Sequence, residues 1–307
     1  MIPPPAQRIA SLLAGSTEIL CGLGLRDRIV AISHECDFPP EITDRPRVTF
    51  SRIASDANSH AIDDQVKRMS ASGESLYGID AETLIALHPD LIVTQSQCDV
   101  CAVRHADVVS LVQSSSALAN AGIVAMNPSR LDDLFDDIGR IAGTAGLPDK
   151  GSAYIAALRS RLDDVVRKFE TRPRPRVACI EWIEPLMIAA NWMPDLIERA
   201  GGRCDLTKAG EHSRYSDWPD LTRSDPDVLI VSPCGFDLQL TLDEAKVLFR
   251  RVEWSTLSAV RSKRVFAVDG NAYFNRSGPR LVDSVELLSS LLHDDAIPTG
   301  APAVRLS

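Results

Sequence analysis

The sequence predicts an α/β protein made of two similar Rossmann-like lobes joined by one long helix, with a ligand cleft between the lobes. Three observations lead there. A helix end, a Pro-Asp break and a short apolar run occur twice, as Ala86-Leu87-His88-Pro89-Asp90-Leu91-Ile92-Val93 and as Arg223-Ser224-Asp225-Pro226-Asp227-Val228-Leu229-Ile230-Val231. Proline disfavours a helical predecessor, and a continuous β-branched run suits a strand buried on both faces of a parallel sheet. Between the copies, Tyr154, Ile155, Leu158, Leu162, Val165, Val166 and Phe169 recur at three- and four-residue spacing, the period of an amphipathic helix over 149–171. Finally, 307 residues suffice for two cores of ordinary size. The expected division is a first lobe over 1–148, a linking helix over 149–172 and a second lobe over 173–307. A helix is stiffer than a loop, so the lobes are expected to move little against each other.

The elements follow in order. Arg8 to Leu13 reads as a buried strand, leading to a helix capped by Ser16 and stopped at Gly22 or Gly24. Arg28 to Ser33 is a second strand with His34 to Pro40 as its exit loop. Residues 44–78 are polar and small and predict a long surface segment with one helix over Ile62 to Met69. Asp80 caps a helix over Ala81 to Leu87, and Leu91 to Thr94 is the strand after the first Pro-Asp. Val103 to Leu111 is helical, Gly122 to Met126 a strand, and Ser129 to Ala145 a helix capped by Ser129. After Arg172-Pro173-Arg174-Pro175 the second lobe opens with a strand over Val177 to Glu181. Pro194 to Ala200 is a helix stopped by Gly201-Gly202, Pro226-Asp227 introduces a strand, Lys263 to Asp269 supplies another, and Pro279 to Leu292 closes the lobe as a helix. The first copy is the longer, so it carries the extra segment.

Composition excludes some classes of function. A net charge of −9 with dispersed basic residues argues against nucleic acid as partner. Met1 to Arg8 lacks the apolar core and cleavage site of a signal peptide, and no apolar run reaches the length of a membrane span. As written the chain is expected in the cytoplasm, unless a signal peptide was removed beforehand. Seven cysteines, at 21, 36, 98, 101, 179, 204 and 234, are an odd number without a disulfide-scaffold spacing, which tilts towards a reducing compartment.

Ligands of open α/β sheets lie off the carboxyl ends of the strands. Those exits are Ala14 to Thr17, His34 to Phe38, Gln95 to Cys101, Glu181 to Trp192, Pro233 to Phe236 and Asn271 to Arg276. Aromatic residues are only 5% of the chain, yet Trp182, Trp192, Trp218, Phe236, Tyr273 and Phe274 fall in or near the second-lobe exits. Rings at a cleft suit a large planar ligand, whereas the same rings packed inward would serve only the core. Cys98-Asp99-Val100-Cys101, with His105 four positions on, is the sharpest local pattern. With His34 and Cys36 it could complete a tetrahedral metal set; it also fits a redox pair, a thiol of lowered pKa, or packing alone. There is no Gly-x-Gly-x-x-Gly after a strand, no Walker lysine and no Gly-x-Ser-x-Gly, so the loops of nucleotide enzymes and α/β-hydrolases are missing.

Several segments together resemble the helical-backbone (class III) substrate-binding proteins of ABC importers, most closely the cobalamin-binding members of a branch that includes siderophore and haem binders. These are Arg28-Ile29-Val30-Ala31 followed by Cys36-Asp37-Phe38-Pro39-Pro40, Gly78-Ile79-Asp80-Ala81-Glu82, Glu181-Trp182-Ile183-Glu184-Pro185, and Tyr273-Phe274-Asn275-Arg276-Ser277-Gly278-Pro279-Arg280. The resemblance runs from about Arg8 to Leu292. It implies a non-catalytic protein, periplasmic if a signal peptide has been removed, that holds a corrinoid between its lobes as a monomer and delivers it to a permease. Cobalamin would be the bound ligand and no cofactor is required; a metal ion stays open through the thiols. Phe38, Trp182, Trp218 and Arg276 match pocket residues, and Tyr77, Gln95, Trp192, Phe236, Tyr273 and Phe274 join them as expected ligand contacts. Glu82 matches the acid that docks on the transporter, with Asp220 or Asp217 left for the second docking acid. Leu76 stands where the family has a pocket tryptophan, and Cys98-x-x-Cys101 is foreign to the cobalamin binders. A metal, haem or siderophore binder using His34, Cys36, Cys98 and Cys101 is the alternative, and an enzyme with Cys98 or Cys101 as nucleophile and His34 or His105 as base is the third reading.

Overall fold

The computed structural model describes residues 5–53, 57–97, 100, 102–295 and 300–306. The chain is α/β throughout and divides into two compact units: Met1–Asp56, Asp64–Pro128 and Asp132–Ala157 in one, Ala57–Asp63, Ser129–Leu131 and Leu158–Ser307 in the other.

The elements up to the long helix are β1 (Ile9–Ser11), α1 (Ala14–Gly22), β2 (Ile29–Ile32), β3 (Thr49–Ser51), α2 (Ser59–Ser72), β4 (Tyr77–Ile79), α3 (Ala81–Ala86), β5 (Leu91–Gln95), α4 (His105–Ser114), β6 (Gly122–Met126), α5 (Leu131–Thr144) and α6 (Pro148–Phe169). The first unit holds an all-parallel sheet in the order β2-β1-β5-β6. Its central strand β5 is buried at every position, as a β-branched run between two helical layers requires. Ala10, Leu12, Ala31, Val48, Leu84, Ile92, Val103 and Val108 form one of its cores. The long surface segment contains more than the one expected helix: β3 and β4 pair antiparallel on either side of α2. Three-residue strands separated by a helix leave no alternation long enough to read. Asp80 caps α3 as expected, accepting from the Thr83 N–H at 3.1 Å. Ser16 does not cap α1, which begins before it; its hydroxyl donates back to the Leu13 carbonyl and meets Ser11 Oγ at 2.7 Å.

The second unit continues with β7 (Val177–Trp182), β8 (Met187–Ile188), α7 (Met193–Arg199), β9 (Arg214–Tyr215), α8 (Trp218–Ser224), β10 (Val228–Val231), α9 (Leu238–Glu244), α10 (Ser258–Arg261), β11 (Val265–Val268), α11 (Arg280–Leu292) and β12 (Ala303–Leu306). Its sheet runs β12-β11-β10-β7-β8-β9. The central three strands are parallel, while β12, β8 and β9 add antiparallel edges that the sequence did not announce.

The duplicated Pro-Asp unit has one physical explanation in both units. His88 and Asp225 adopt left-handed backbone, φ 44° and 41°, ending α3 and α8 before the prolines. Asp90 then accepts the backbone N–H groups of Gln7 and Arg8 at 2.8 and 3.0 Å, and Asp227 accepts that of Arg176 at 2.8 Å. Each carboxylate thus fastens the start of its own strand to the start of the neighbouring parallel strand. The preceding arginines complete the stitch: Arg8 donates to the Leu87 carbonyl, and Arg176 to that of Ser224.

α6 spans 22 residues and closes with Arg167 and Lys168 in its last turn, where cations oppose the negative helix end. Arg161 on α6 bonds Glu286 at 2.8 and 2.7 Å and Asp283 at 2.5 Å on α11, all within the second unit. No helix among the described residues is long and apolar enough to cross a membrane.

One buried carboxyl makes stability depend on pH. Asp137 on α5 is almost fully buried, and burial, opposed by its Arg140 partner, pushes its carboxyl up to about 6. A carboxyl raised above its unfolded value of about 3.9 favours the fold below that pH and loses this contribution as pH rises through about 6. Asp137→Asn should therefore gain on the parent chain by about 2 to 3 kcal/mol between pH 4 and pH 8. Urea unfolding at both pH values checks this; parallel curves for the two proteins would refute it.

Candidate ligand-binding site

In the first unit, the exits of β1 and β2 are tied together by hydroxyls. Thr17 Oγ1 donates to Ser11 Oγ at 2.8 Å and lies 3.0 Å from Cys36 Sγ, so this thiol faces a buried polar cluster and is itself fully buried. Thr49 Oγ1 meets His34 Nδ1 at 2.7 Å and accepts the His34 backbone N–H at 3.0 Å, which fixes the imidazole. Its Nε2 lies 3.3 Å from Glu35, and the Tyr77 ring centroid is 5.5 Å from the imidazole. Phe38, at the end of the same exit, is 43% exposed, where a ring of this size is more often buried. Gln95 is buried at the carboxyl end of β5.

Among the described residues no three His, Cys, Asp or Glu side chains converge to hold a metal. Cys98 and Cys101 lie outside the described residues, so the expected set of His34, Cys36, Cys98 and Cys101 is seen only in its first two members. Cys36 is engaged with Thr17, and His34 with Thr49.

The second unit gathers the exits of β7, β10 and β11. Trp182, at the end of β7, stands 5.4 Å from Phe236 in the exit of β10, tilted by 59°. Phe236 accepts the Asn271 backbone N–H at 3.0 Å, which joins that exit to the one after β11. There the chain makes a π-helical turn over Gly270–Phe274, capped by Asp269 accepting from the Ala272 N–H at 2.7 Å. Asn275 Nδ2 donates to the Ser232 carbonyl at 2.8 Å, and Trp192 Nε1–H donates to that of Phe274 at 2.8 Å. Tyr273 is half-buried with the Arg280 guanidinium 5.3 Å from its ring, while Arg276 is buried.

Burial separates the expected contacts. Phe236 and Phe274 are 1% and 0% exposed, and Trp192 is also buried, so these rings hold the exits in place and present almost no face. Trp218 is not with them: it packs with Ile183, Leu186, Ile188 and Leu221 in the core, beneath Arg251 at 5.8 Å. The expectation of a row of exposed rings is corrected accordingly, because a large ring beside a strand finds more apolar contact in the core than over a loop. Trp182, Tyr273 and, from the first unit, Phe38 and Tyr77 retain accessible surface.

Two features were missed by sequence reasoning. Trp182 Nε1–H donates to the Ser59 carbonyl at 3.2 Å, and Ser59 in turn is held by Glu244 through its backbone N–H and hydroxyl at 3.1 and 2.7 Å. Beside them Tyr215, 52% exposed, donates to Asp63 at 2.5 Å. These partners are more than a hundred positions apart, so no local pattern reports them. The second feature is Glu181, whose carboxyl accepts from Ser213 and is pushed above the usual carboxylate range by burial. Burial likewise raises Asp269, with the charges of Arg276 and Arg280 opposing it. The exit region of the second unit therefore offers rings, two guanidinium groups and carboxyls of weakened acidity, which suit a large ligand with an apolar body and a polar rim.

Comparison with known proteins places this architecture. A family model described as periplasmic binding protein matches residues 9–272. An uncharacterized ABC transporter substrate-binding lipoprotein of Bacillus subtilis is 23% identical over 94% of this chain and 81% of its own. The vitamin B12-binding protein of Vibrio cholerae is 24% identical over 94% of this chain and 90% of its own. The crystal structure of the periplasmic vitamin B12 binding protein from Vibrio cholerae superposes with a TM-score of 0.67 at 23% identity, covering 95% of this chain and 98% of that one. A periplasmic heme binding protein of Pseudomonas aeruginosa superposes with a TM-score of 0.71 at 18% identity, covering 97% and 96%. Nothing among these supports the cytoplasmic reading. With most of its length matched by the family model, and with the parallel sheets and strand exits described above, the chain belongs to the periplasmic binding protein family.

Proposed function

We propose that this chain is the substrate-binding component of an ABC importer, acts outside the cytoplasm without catalysing a reaction, and binds a corrinoid. The observation that carries the ligand class is the exit cluster of the second unit, where Trp182 and Tyr273 keep accessible surface and buried Arg276 and Arg280 lie within electrostatic reach of Asp269. Flat rings suit a macrocycle's apolar surface, and guanidinium groups suit amide oxygens at its periphery. The vitamin B12-binding relatives support the same reading. Phe38 and Tyr77 are the contacts proposed from the first unit. Titrating the protein with cobalamin, followed through its visible spectrum, is expected to saturate at one equivalent in the micromolar range or below. Absence of saturation there would remove the corrinoid and leave the family standing.

A haem ligand is the second reading, supported by a different observation. His34 and Tyr77, two side-chain types that hold haem iron, stand with ring centroids 5.5 Å apart.

Docking to a permease is proposed through Glu82, exposed in the first turn of α3, whose start the Asp80 cap fixes. Asp220 is also exposed but already bonds Arg223 at 2.6 Å, which makes it the weaker candidate for the second acid. Glu82→Arg is expected to abolish transport in reconstituted vesicles while leaving ligand affinity within about twofold, since exposed charges contribute little to folding. Equal loss of both would place Glu82 in the ligand site or the fold.

A further inference from the structure

A cavity of about 830 Å³ lies in the second unit at the other end of its sheet. Its walls include Pro175, Asp227 and Arg264, each within two positions of the start of β7, β10 or β11, so it opens at the amino ends of the parallel strands. The exits that carry Trp182 and Tyr273 are at the carboxyl ends. Four arginines line it: Arg172 and Arg174, from the Arg-Pro-Arg-Pro run after α6, Arg261, the last residue of α10, and Arg264, immediately before β11. In a chain of net charge −9 such a concentration is unexpected.

The four are not neutralised alike. Arg172 bonds Asp295 at 2.9 Å. Among the described residues no carboxylate lies within 4.0 Å of the Arg174 or Arg261 guanidinium. Arg174 instead donates through Nε and one terminal nitrogen to the Gly202 carbonyl, at 3.0 and 2.7 Å. Arg261 donates to the Thr256 carbonyl and to Ser258 Oγ, the latter at 2.8 Å. Neutral acceptors orient a guanidinium without cancelling its charge; Arg261 is also within electrostatic reach of Asp225, which accepts from the same Ser258 hydroxyl at 2.7 Å, so Arg174 is the less opposed of the two. Arg264 is held by the Leu292 carbonyl at 2.6 Å, and its buried Nε lies 3.5 Å from Asp294 without a hydrogen bond. The two acids of the lining do not restore balance, since Asp227 is bonded to Arg176 at 2.8 Å and Asp294 also to Arg305 at 3.3 Å. The prolines add preorganisation, because Pro173 and Pro175 fix their own φ and restrict Arg172 and Arg174 to extended backbone.

We propose that this cavity binds a phosphate monoester or diester, a second ligand site independent of the corrinoid proposal. Oriented guanidinium groups match the oxygens of phosphate in paired, charge-assisted hydrogen bonds. The volume is that of a site for a small organic molecule, so the phosphate is expected to carry a substituent. Either a soluble phosphate ester or the headgroup of an anionic lipid presents this chemistry.

Calorimetric titration with glycerol phosphate, and cosedimentation with phosphatidylglycerol or phosphatidylcholine vesicles, distinguish the sources. Saturable binding of glycerol phosphate assigns a soluble ester; binding to phosphatidylglycerol vesicles alone assigns a headgroup. In either case Arg174→Gln/Arg261→Gln should weaken binding by about tenfold or more, and Arg68→Gln, on exposed helix surface elsewhere, should not. Arg261→Gln alone, at an exposed position, should show a smaller loss and serves if the double variant fails to fold. No binding of either probe, undiminished binding by the folded variants, or equal loss in Arg68→Gln would overturn the proposal.

Discussion

Gly270→Ala is expected to lower stability by about 3 kcal/mol and to remove most of the ligand affinity. A Cβ at this position would stand 2.3 Å from the Pro233 carbonyl oxygen, 2.9 Å from Asn275 Nδ2 and 3.0 Å from the Ser232 carbonyl carbon. Two of those atoms are backbone at the end of β10 and cannot swing aside as a side chain would. The π-helical turn must move instead, and it carries the Asn275 bond to Ser232 and the Trp192 bond to Phe274. One methyl group thus disturbs two strand exits and the rings they place. Gly235→Ala is the control: its φ of 77° strains any side chain, but nothing lies within 4 Å of the added carbon, so the cost should be only about 1 to 2 kcal/mol. Urea unfolding and cobalamin titration of both variants measure this. Wild-type stability in Gly270→Ala would show that the turn tolerates displacement and is not the fastening described.

Trp182→Ala is expected to reduce corrinoid affinity by about tenfold to a hundredfold, the loss for a ring that meets a ligand across one face. The variant also releases the Ser59 carbonyl and uncovers one side of Phe236, so its melting temperature should fall modestly. Trp182→Phe separates the two roles. It keeps a ring against Phe236 and the ligand while removing the Nε1–H donor, and it should recover most of the affinity. Fluorescence quenching of the remaining tryptophans reports binding in each protein. An unchanged Kd in Trp182→Ala, with the fold intact, would remove Trp182 from the contacts.

The parts of this architecture legible in the sequence are those that one local interaction decides. The Pro-Asp unit is the best case: the helix end, the left-handed residue, the proline and the stitching carboxylate fall within five positions, and both copies do the same work at β5 and β10. β6 was readable to the residue, and α6 nearly so, because an apolar run or a helical period is written continuously along the chain. β8, β9 and the β3–β4 pair were not, since strands of two or three residues carry no period and form only because neighbouring strands offer unpaired backbone. The candidate site was legible in its location, off the strand exits, and much less in its occupants. Composition placed Trp182, Trp218, Phe236 and Phe274 together as rings near loops. Only tertiary packing shows that Trp218 belongs to the core and Phe274 holds a turn, while Trp182 meets Ser59 from a distant part of the chain. Tyr215 and Glu181 were missed for the same reason, since their partners Asp63 and Ser213 are not sequence neighbours.

The central claim, a corrinoid-binding member of the periplasmic binding protein family, is tested most directly by paired calorimetric titrations of one preparation with cyanocobalamin and with hemin. The account predicts saturable one-to-one binding of cyanocobalamin at micromolar concentrations or below, unaffected by prior hemin and unchanged in His34→Ala. Tight hemin binding that is lost in His34→Ala, with no heat from cyanocobalamin, would contradict it.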